Sequence, residues 1–101
     1  MNFYLAIDHT SENPQGWTYL KIVSGLNEKL DVRVVRNWII RHMKEFNNVW
    51  CIHIMKRSKK DTYKSIEYVK PDGCSYENKG DECKMGFVFD VLFSENNTIR
   101  I

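Results

Sequence analysis

A single stretch of this chain repeats its apolar residues at helical spacing, and that restricts the fold more than any other feature. Val32, Val35, Ile39, Met43 and Phe46 follow one another at steps of three, four, four and three, with Trp38 beside them, so all six share one face of a helix from about Val32 to Phe46. Asp31 is placed to cap its start, and Asn47-Asn48 supplies the stop. The β-branched pairs Val34-Val35 and Ile39-Ile40 lower the intrinsic helix propensity. The helix therefore depends on packing its apolar face against a sheet.

The rest of the chain supplies that sheet. Residues 2–8 alternate, with Phe3, Leu5 and Ile7 on one side and Asn2, Tyr4, Ala6 and Asp8 on the other, the mark of a half-buried strand. Trp17 to Val23 resumes with β-favouring residues after a loop rich in Ser, Asn, Pro and Gly, so the first two strands form a hairpin. Val49 to Arg57 sets Trp50, Ile52 and Ile54 against Cys51, His53 and Met55. Thr62 to Lys70 is a fourth strand, Pro71-Asp72-Gly73 a turn, and Cys74 to Lys84 a polar loop. Met85 to Phe93 alternates most clearly, and Glu95-Asn96-Asn97 turns it toward a short edge segment, Thr98 to Ile101. The order ββαββββ is that of an α+β fold: a single domain over residues 1–101, an antiparallel sheet carrying one amphipathic helix.

At 101 residues there is room for one domain and one core. Charge interrupts every apolar run well short of the ~20 residues that cross a bilayer. The first residues read as a strand, not a secretory leader, so a cytoplasmic location is expected. The three cysteines are an odd count that suits reduced thiols better than a disulfide framework, with Cys74 and Cys83 the one plausible pair.

A net charge of +2 is too small to announce a nucleic-acid-binding protein, so clustering must decide. Arg33, Asn37, Arg41 and Lys44 are spaced by four, four and three and lie opposite the apolar face of the helix, with Arg36 flanking them. Lys56, Arg57, Lys59, Lys60 and Lys64 crowd the tip between the third and fourth strands. Such a surface neutralises phosphates or docks on an acidic patch. The plainer account is a solvated helix face and a lysine-protected hairpin tip.

Pro71-Asp72 followed by Glu82-Cys83-Lys84 resembles the PD-x9-ExK pattern of metal-dependent nucleases, in five residues only. The resemblance implies that Asp72 and Glu82 hold Mg²⁺ while Lys84 steadies the attacking water. Pro-Asp-Gly is also a common turn tripeptide, and the residues after Lys84 read as a strand and a turn where the family has a helix and a strand.

Cys51 and His53 point the same way from one strand, and with Cys74 and Cys83 they would complete a Cys₃His set for zinc. No C-x₂-C knuckle accompanies them, so buried thiols and a hydrogen-bonded core histidine are the simpler account, and no metal or cofactor is expected. His9, between Asp8 and Thr10 with Glu12 nearby, has the makings of an oriented general base but suits a polar loop equally. His42 falls near the apolar side of the helix as a boundary histidine. With no nucleophile motif and no phosphate-cradling loop, an enzyme is not expected.

Three tryptophans, five tyrosines and five phenylalanines exceed what one helix on one sheet encloses. The face carrying Tyr4, Trp17 and Tyr19 is where exposed anchors are expected, since Trp, Tyr and Arg most often anchor interfaces. A homodimer through that face or a sheet edge would also cover it. The leading expectation is a non-enzymatic binding protein, an accessory protein of a phage or other mobile element that engages and inhibits a larger host partner such as CRISPR-Cas type defence machinery. The alternatives are a direct nucleic-acid binder using the basic helix face, and the Mg²⁺-dependent nuclease.

Overall fold

The computed structural model describes residues 3–9, 17–25, 30–57, 62–78, 85–86 and 95–101. Its elements are β1 (Phe3–His9), β2 (Trp17–Val23), α1 (Val32–His42) with a 3₁₀ turn at Met43–Glu45, β3 (Val49–Arg57), β4 (Thr62–Val69), β5 (Ser75–Glu77), β6 (Met85–Gly86) and β7 (Thr98–Arg100). The strands form one sheet in the order β5-β4-β3-β1-β2-β7, with β6 also paired to β4. This is the expected α+β architecture. Every pairing is antiparallel except β2 with β7, which run parallel. Among the described residues no helix is long and apolar enough to cross a membrane.

The helix starts where the sequence places it. Asp31 is in extended conformation and its Oδ1 accepts from the Val34 N–H at 2.9 Å, satisfying one of the donors that a helix start leaves open. Asp31→Ala should therefore cost about 1 kcal/mol of stability in urea denaturation, against a few tenths for Asp31→Gly. At the far end the α-helix stops at His42, the last turn tightens to 3₁₀, and Asn48 takes a left-handed φ of 54° that asparagine tolerates.

Val35, Ile39 and Met43 are buried from the helix side, and Val32, Trp38 and Phe46 pack on the margin of the same cluster. They meet Phe3, Leu5 and Ile7 of β1, Ile52 and Ile54 of β3, and Ile22 of β2. This is the first face of the sheet, and it holds the main core.

The second face is not the open surface that alternation predicts. β1 lies between β2 and β3, and Phe3 to Ile7 are buried on both sides. Tyr4 and Ala6 join Met55 and Tyr63 in a second buried cluster, with the Tyr4 and Tyr63 rings edge to face at 4.7 Å. Tyr4, at 5% exposure, is a core residue and not the exposed anchor expected of it.

Two bulges shift the alternation. Between Asp8 and His9 of β1 the partner strand moves from Cys51 to Val49, leaving Trp50 as the extra residue. Val49 is buried in the main core and Trp50 is turned out to 59% exposure, away from the face that Ile52 and Ile54 share. In β4, Ile66 is the extra residue opposite the Ile54–Met55 step.

Pro71-Asp72-Gly73 is the expected turn, whereas the expected polar loop from Cys74 begins with a strand, β5. Lys70 and Cys74 close a turn through Lys70 N–H to Cys74 O and Gly73 N–H to Lys70 O, both 2.9 Å, with Gly73 at φ 87° as that turn requires. Exposed β5 follows, paired to β4. Of the expected Met85–Phe93 strand, β6 is its start, and residues 87–93 lie outside the described residues.

Candidate functional site

The sheet register assembles the most distinctive surface on the second face. Ala6 is opposite both Tyr19 and His53, His53 is opposite Tyr68, and Tyr68 is opposite Tyr76. Directly opposed residues point to the same side of a sheet, so Tyr19, His53, Tyr68 and Tyr76 stand in one row across β2, β3, β4 and β5. A neighbouring row carries Trp17, Asp8 and Cys51. The rings fill the row: Trp17 stacks on His53 at 5.6 Å and on Tyr19 at 6.4 Å, and Tyr68 stacks on Tyr76 at 5.1 Å.

The row becomes exposed at its β5 end. Tyr76 is 43% exposed and Trp50, ejected by its bulge, is 59% exposed. The Lys70 ammonium lies 5.6 Å from the Tyr76 ring and 5.7 Å from the Trp50 ring, bracketed by both. A hollow of about 320 Å³ opens beside it, lined by Val49, Trp50, Lys70, Pro71 and Asp72. Two flat aromatic surfaces and a cation are thus held on strands and a closed turn, so little side-chain freedom is lost when a partner covers them.

Tyr19 in this row and Trp17 in the neighbouring one are half-buried and present less surface than expected of interface anchors. Burial pushes the Tyr19 phenol up. Trp50, Lys70 and Tyr76, which sequence reasoning left unmarked, take the exposed role.

The basic residues are elsewhere. Arg33, Asn37 and Arg41 are exposed on the outer side of α1, whose apolar side covers the first face, and Lys44 is exposed on the 3₁₀ turn that follows. Lys56 and Lys64 oppose each other across β3 and β4, Lys56 resting over the Phe3 ring at 5.4 Å. Arg57 is exposed at the end of β3. Lys59 and Lys60 lie outside the described residues. The aromatic row and the helix stripe therefore occupy opposite sides of the sheet and cannot form one continuous surface.

Arg36 leaves the stripe altogether. Its Nε and Nη2 donate to the two Glu67 carboxylate oxygens at 2.5 and 2.9 Å, and the Glu67 side chain is only 7% exposed. This bidentate pair anchors the helix to β4, so Arg36 is a structural group and not a partner-binding one.

The remaining polar groups of the second face gather around His53. Its Nε2 is 3.4 Å from Cys51 Sγ, its Nδ1 is 2.9 Å from Ser65 Oγ, and the Asn78 amide donates to that hydroxyl at 2.6 Å. Asp8, directly opposite Cys51, completes a group whose ligand-type atoms all lie within 4.8 Å of one another. Burial pulls the His53 imidazolium down from its ordinary range, and the Asp8 carboxylate opposes that only in part.

Cys74 is exposed in the β4–β5 turn and has no place in this group, while Cys83 lies outside the described residues, so the Cys₃His set weighed from the sequence is not assembled among the described residues. Asp8 is the member that sequence spacing missed. Asp72 accepts from the Cys74 N–H at 2.9 Å, the bond of an Asx turn, and Glu82 and Lys84 lie outside the described residues. His9 is tied to the Thr18 hydroxyl at 2.8 Å and the Asn47 carbonyl at 3.3 Å, and Glu12 lies outside the described residues. His42 donates to the Trp38 carbonyl and stacks on its ring, as a boundary histidine does.

No protein-family model, curated protein or solved structure matches this chain. A functional reading therefore rests on the chain's own geometry.

Proposed function

We propose that this protein is a non-enzymatic binding protein that grips a larger protein through Trp50, Lys70 and Tyr76. The observation that supports this reading is Trp50: a bulge costs ladder hydrogen bonds, and here it turns the largest side chain type out to 59% exposure beside a second exposed ring. Trp and Tyr held rigidly around a desolvated centre are the groups that carry most binding energy in protein interfaces. Host nucleic-acid defence machinery, the class expected from size and composition, is the first partner to test.

A second reading, direct binding of nucleic acid, draws support from the exposed alignment of Arg33, Asn37, Arg41 and Lys44 on the opposite side of the molecule. Because the two surfaces face away from each other, one experiment separates them. The tagged protein is used to capture partners from a host lysate with and without nuclease, beside Trp50→Ala and an Arg33→Ala/Arg41→Ala/Lys44→Ala variant.

The proposal expects a stoichiometric protein that survives nuclease, whose affinity drops about 30-fold in Trp50→Ala, the effect of losing a hot spot worth about 2 kcal/mol. Unchanged capture by Trp50→Ala would overturn it. Recovery that vanishes with nuclease, falls steeply with salt and is lost in the helix variant would establish the second reading instead.

A further inference from the structure

Asp8, Cys51 and His53 come from two strands, yet the backbone aims all three at one point. Asp8 is the direct cross-strand partner of Cys51, and His53 is two residues on from Cys51, so the three project from the same side of the sheet. Their ligand-type atoms lie within 4.8 Å of one another. Zn–S and Zn–N bonds of roughly 2.3 and 2.0 Å at a tetrahedral angle separate S from N by about 3.5 Å. The Cys51 Sγ to His53 Nε2 distance is 3.4 Å.

The ring orientation decides which histidine nitrogen faces that point: Nε2 is turned to Cys51 and Nδ1 to Ser65. A hydroxyl has one proton and two lone pairs. The Ser65 hydroxyl has the Glu67 carbonyl at 3.4 Å as a place for its proton and accepts from the Asn78 amide at 2.6 Å. Asn78 is itself held by its backbone N–H on the Ile66 carbonyl at 3.1 Å. A metal on Nε2 requires the ring proton on Nδ1, and the 2.9 Å contact gives that proton an acceptor in the Ser65 hydroxyl. In that tautomer the Nε2 lone pair is directed at Cys51.

An imidazole whose far nitrogen donates to a second group, with its near nitrogen free of a proton, is the arrangement in which histidine binds metals. Trp17 stacked on the ring, nearly parallel at 9°, holds its plane.

We infer that Asp8, Cys51 and His53 form a zinc site, with Ser65 and Asn78 as the outer groups that orient His53. A thiolate, an imidazole and a carboxylate are donors for Zn²⁺, whereas Mg²⁺ and Ca²⁺ take oxygens. Three protein ligands leave a fourth tetrahedral position for water or for a group brought by a partner. On binding, the Cys51 S–H bond breaks, the sulfur bonds the metal and the proton passes to solvent. The site is on the second face but does not depend on the docking role of Trp50, and its test leaves Trp50 intact.

The test is calorimetric titration of the chelator-treated full chain with Zn²⁺, alongside Co²⁺ titration followed by absorption. The site predicts one metal per chain, proton release that scales with buffer ionisation enthalpy, and a thiolate-to-cobalt charge-transfer band. Asp8→Asn and His53→Gln should each weaken zinc binding at least tenfold, and Ser65→Ala 10- to 100-fold through the lost orienting bond, the range for outer-shell groups. Cys51→Ala should abolish the cobalt band. Because Cys51 is 4% exposed and its variant risks misfolding, the half-buried Asp8→Asn is the decisive variant, checked for native circular dichroism. Exposed Cys74→Ser should leave everything unchanged. No zinc binding at about micromolar concentration, cobalt binding without the thiolate band, or affinity untouched by Asp8→Asn in folded protein would each overturn the assignment.

Discussion

Arg36→Met is expected to destabilise the protein by about 3 kcal/mol, read as a fall in the urea midpoint at constant slope. Removing one partner of a buried pair leaves the other charge without compensation, and the Glu67 side chain, at 7% exposure, is the partner that would be stranded. The figure sits at the low end of the usual range because Arg36 is itself 31% exposed, so water can take part of its place. Glu67→Gln added to Arg36→Met should recover much of the loss, since a neutral amide tolerates that position far better than an unpaired carboxylate. Equal destabilisation in the double variant would show that the salt bridge is not what holds the helix to β4.

Ile39 and Ile40 are adjacent, chemically identical and differ only in which side of α1 they occupy. Ile39 is fully buried between the helix and the sheet, whereas Ile40 is 39% exposed. Ile39→Ala should cost about 3–4 kcal/mol, the transfer and cavity terms of a core isoleucine, while Ile40→Ala should stay within about 0.5 kcal/mol because alanine's better helix propensity offsets its lost contacts. For a domain whose whole stability is on the order of 5–15 kcal/mol, the first substitution removes a large share. A similar cost at both positions would contradict the packing of this helix.

Those two residues also show why the helix was legible. A 3.6-residue repeat places each apolar group on its face without knowledge of any neighbour, so Val35, Ile39 and Met43 could be assigned to the core, and Asp31 to the cap, from the chain alone. Alternation in strands carries less. It separated Phe3, Leu5 and Ile7 from Tyr4 and Ala6, but it could not say that β1 lies mid-sheet, where both sets are buried.

It also could not reveal the bulge at Trp50. Val49 and Trp50 are both apolar, so slipping the pattern by one residue leaves the sequence looking the same. Asp8 is a further case. Its meeting with Cys51 and His53 follows from the pairing register of β1 and β3, a relation between segments more than forty residues apart. Arg36 looked like one more cation on a basic helix until Glu67 was brought beneath it by β4.

The three tryptophans report on three separate events. Trp38 stacks on His42 inside the helix, Trp17 lies on the ring of His53, and Trp50 stands in water beside Lys70. The long-wavelength edge of the intrinsic fluorescence therefore belongs to Trp50, and a ligand that covers it shifts that emission to the blue. Events at His53 act on Trp17 instead, changing the yield of a more shielded emitter. The molecule carries a built-in optical readout that distinguishes docking at its rim from chemistry at its second face without any added label.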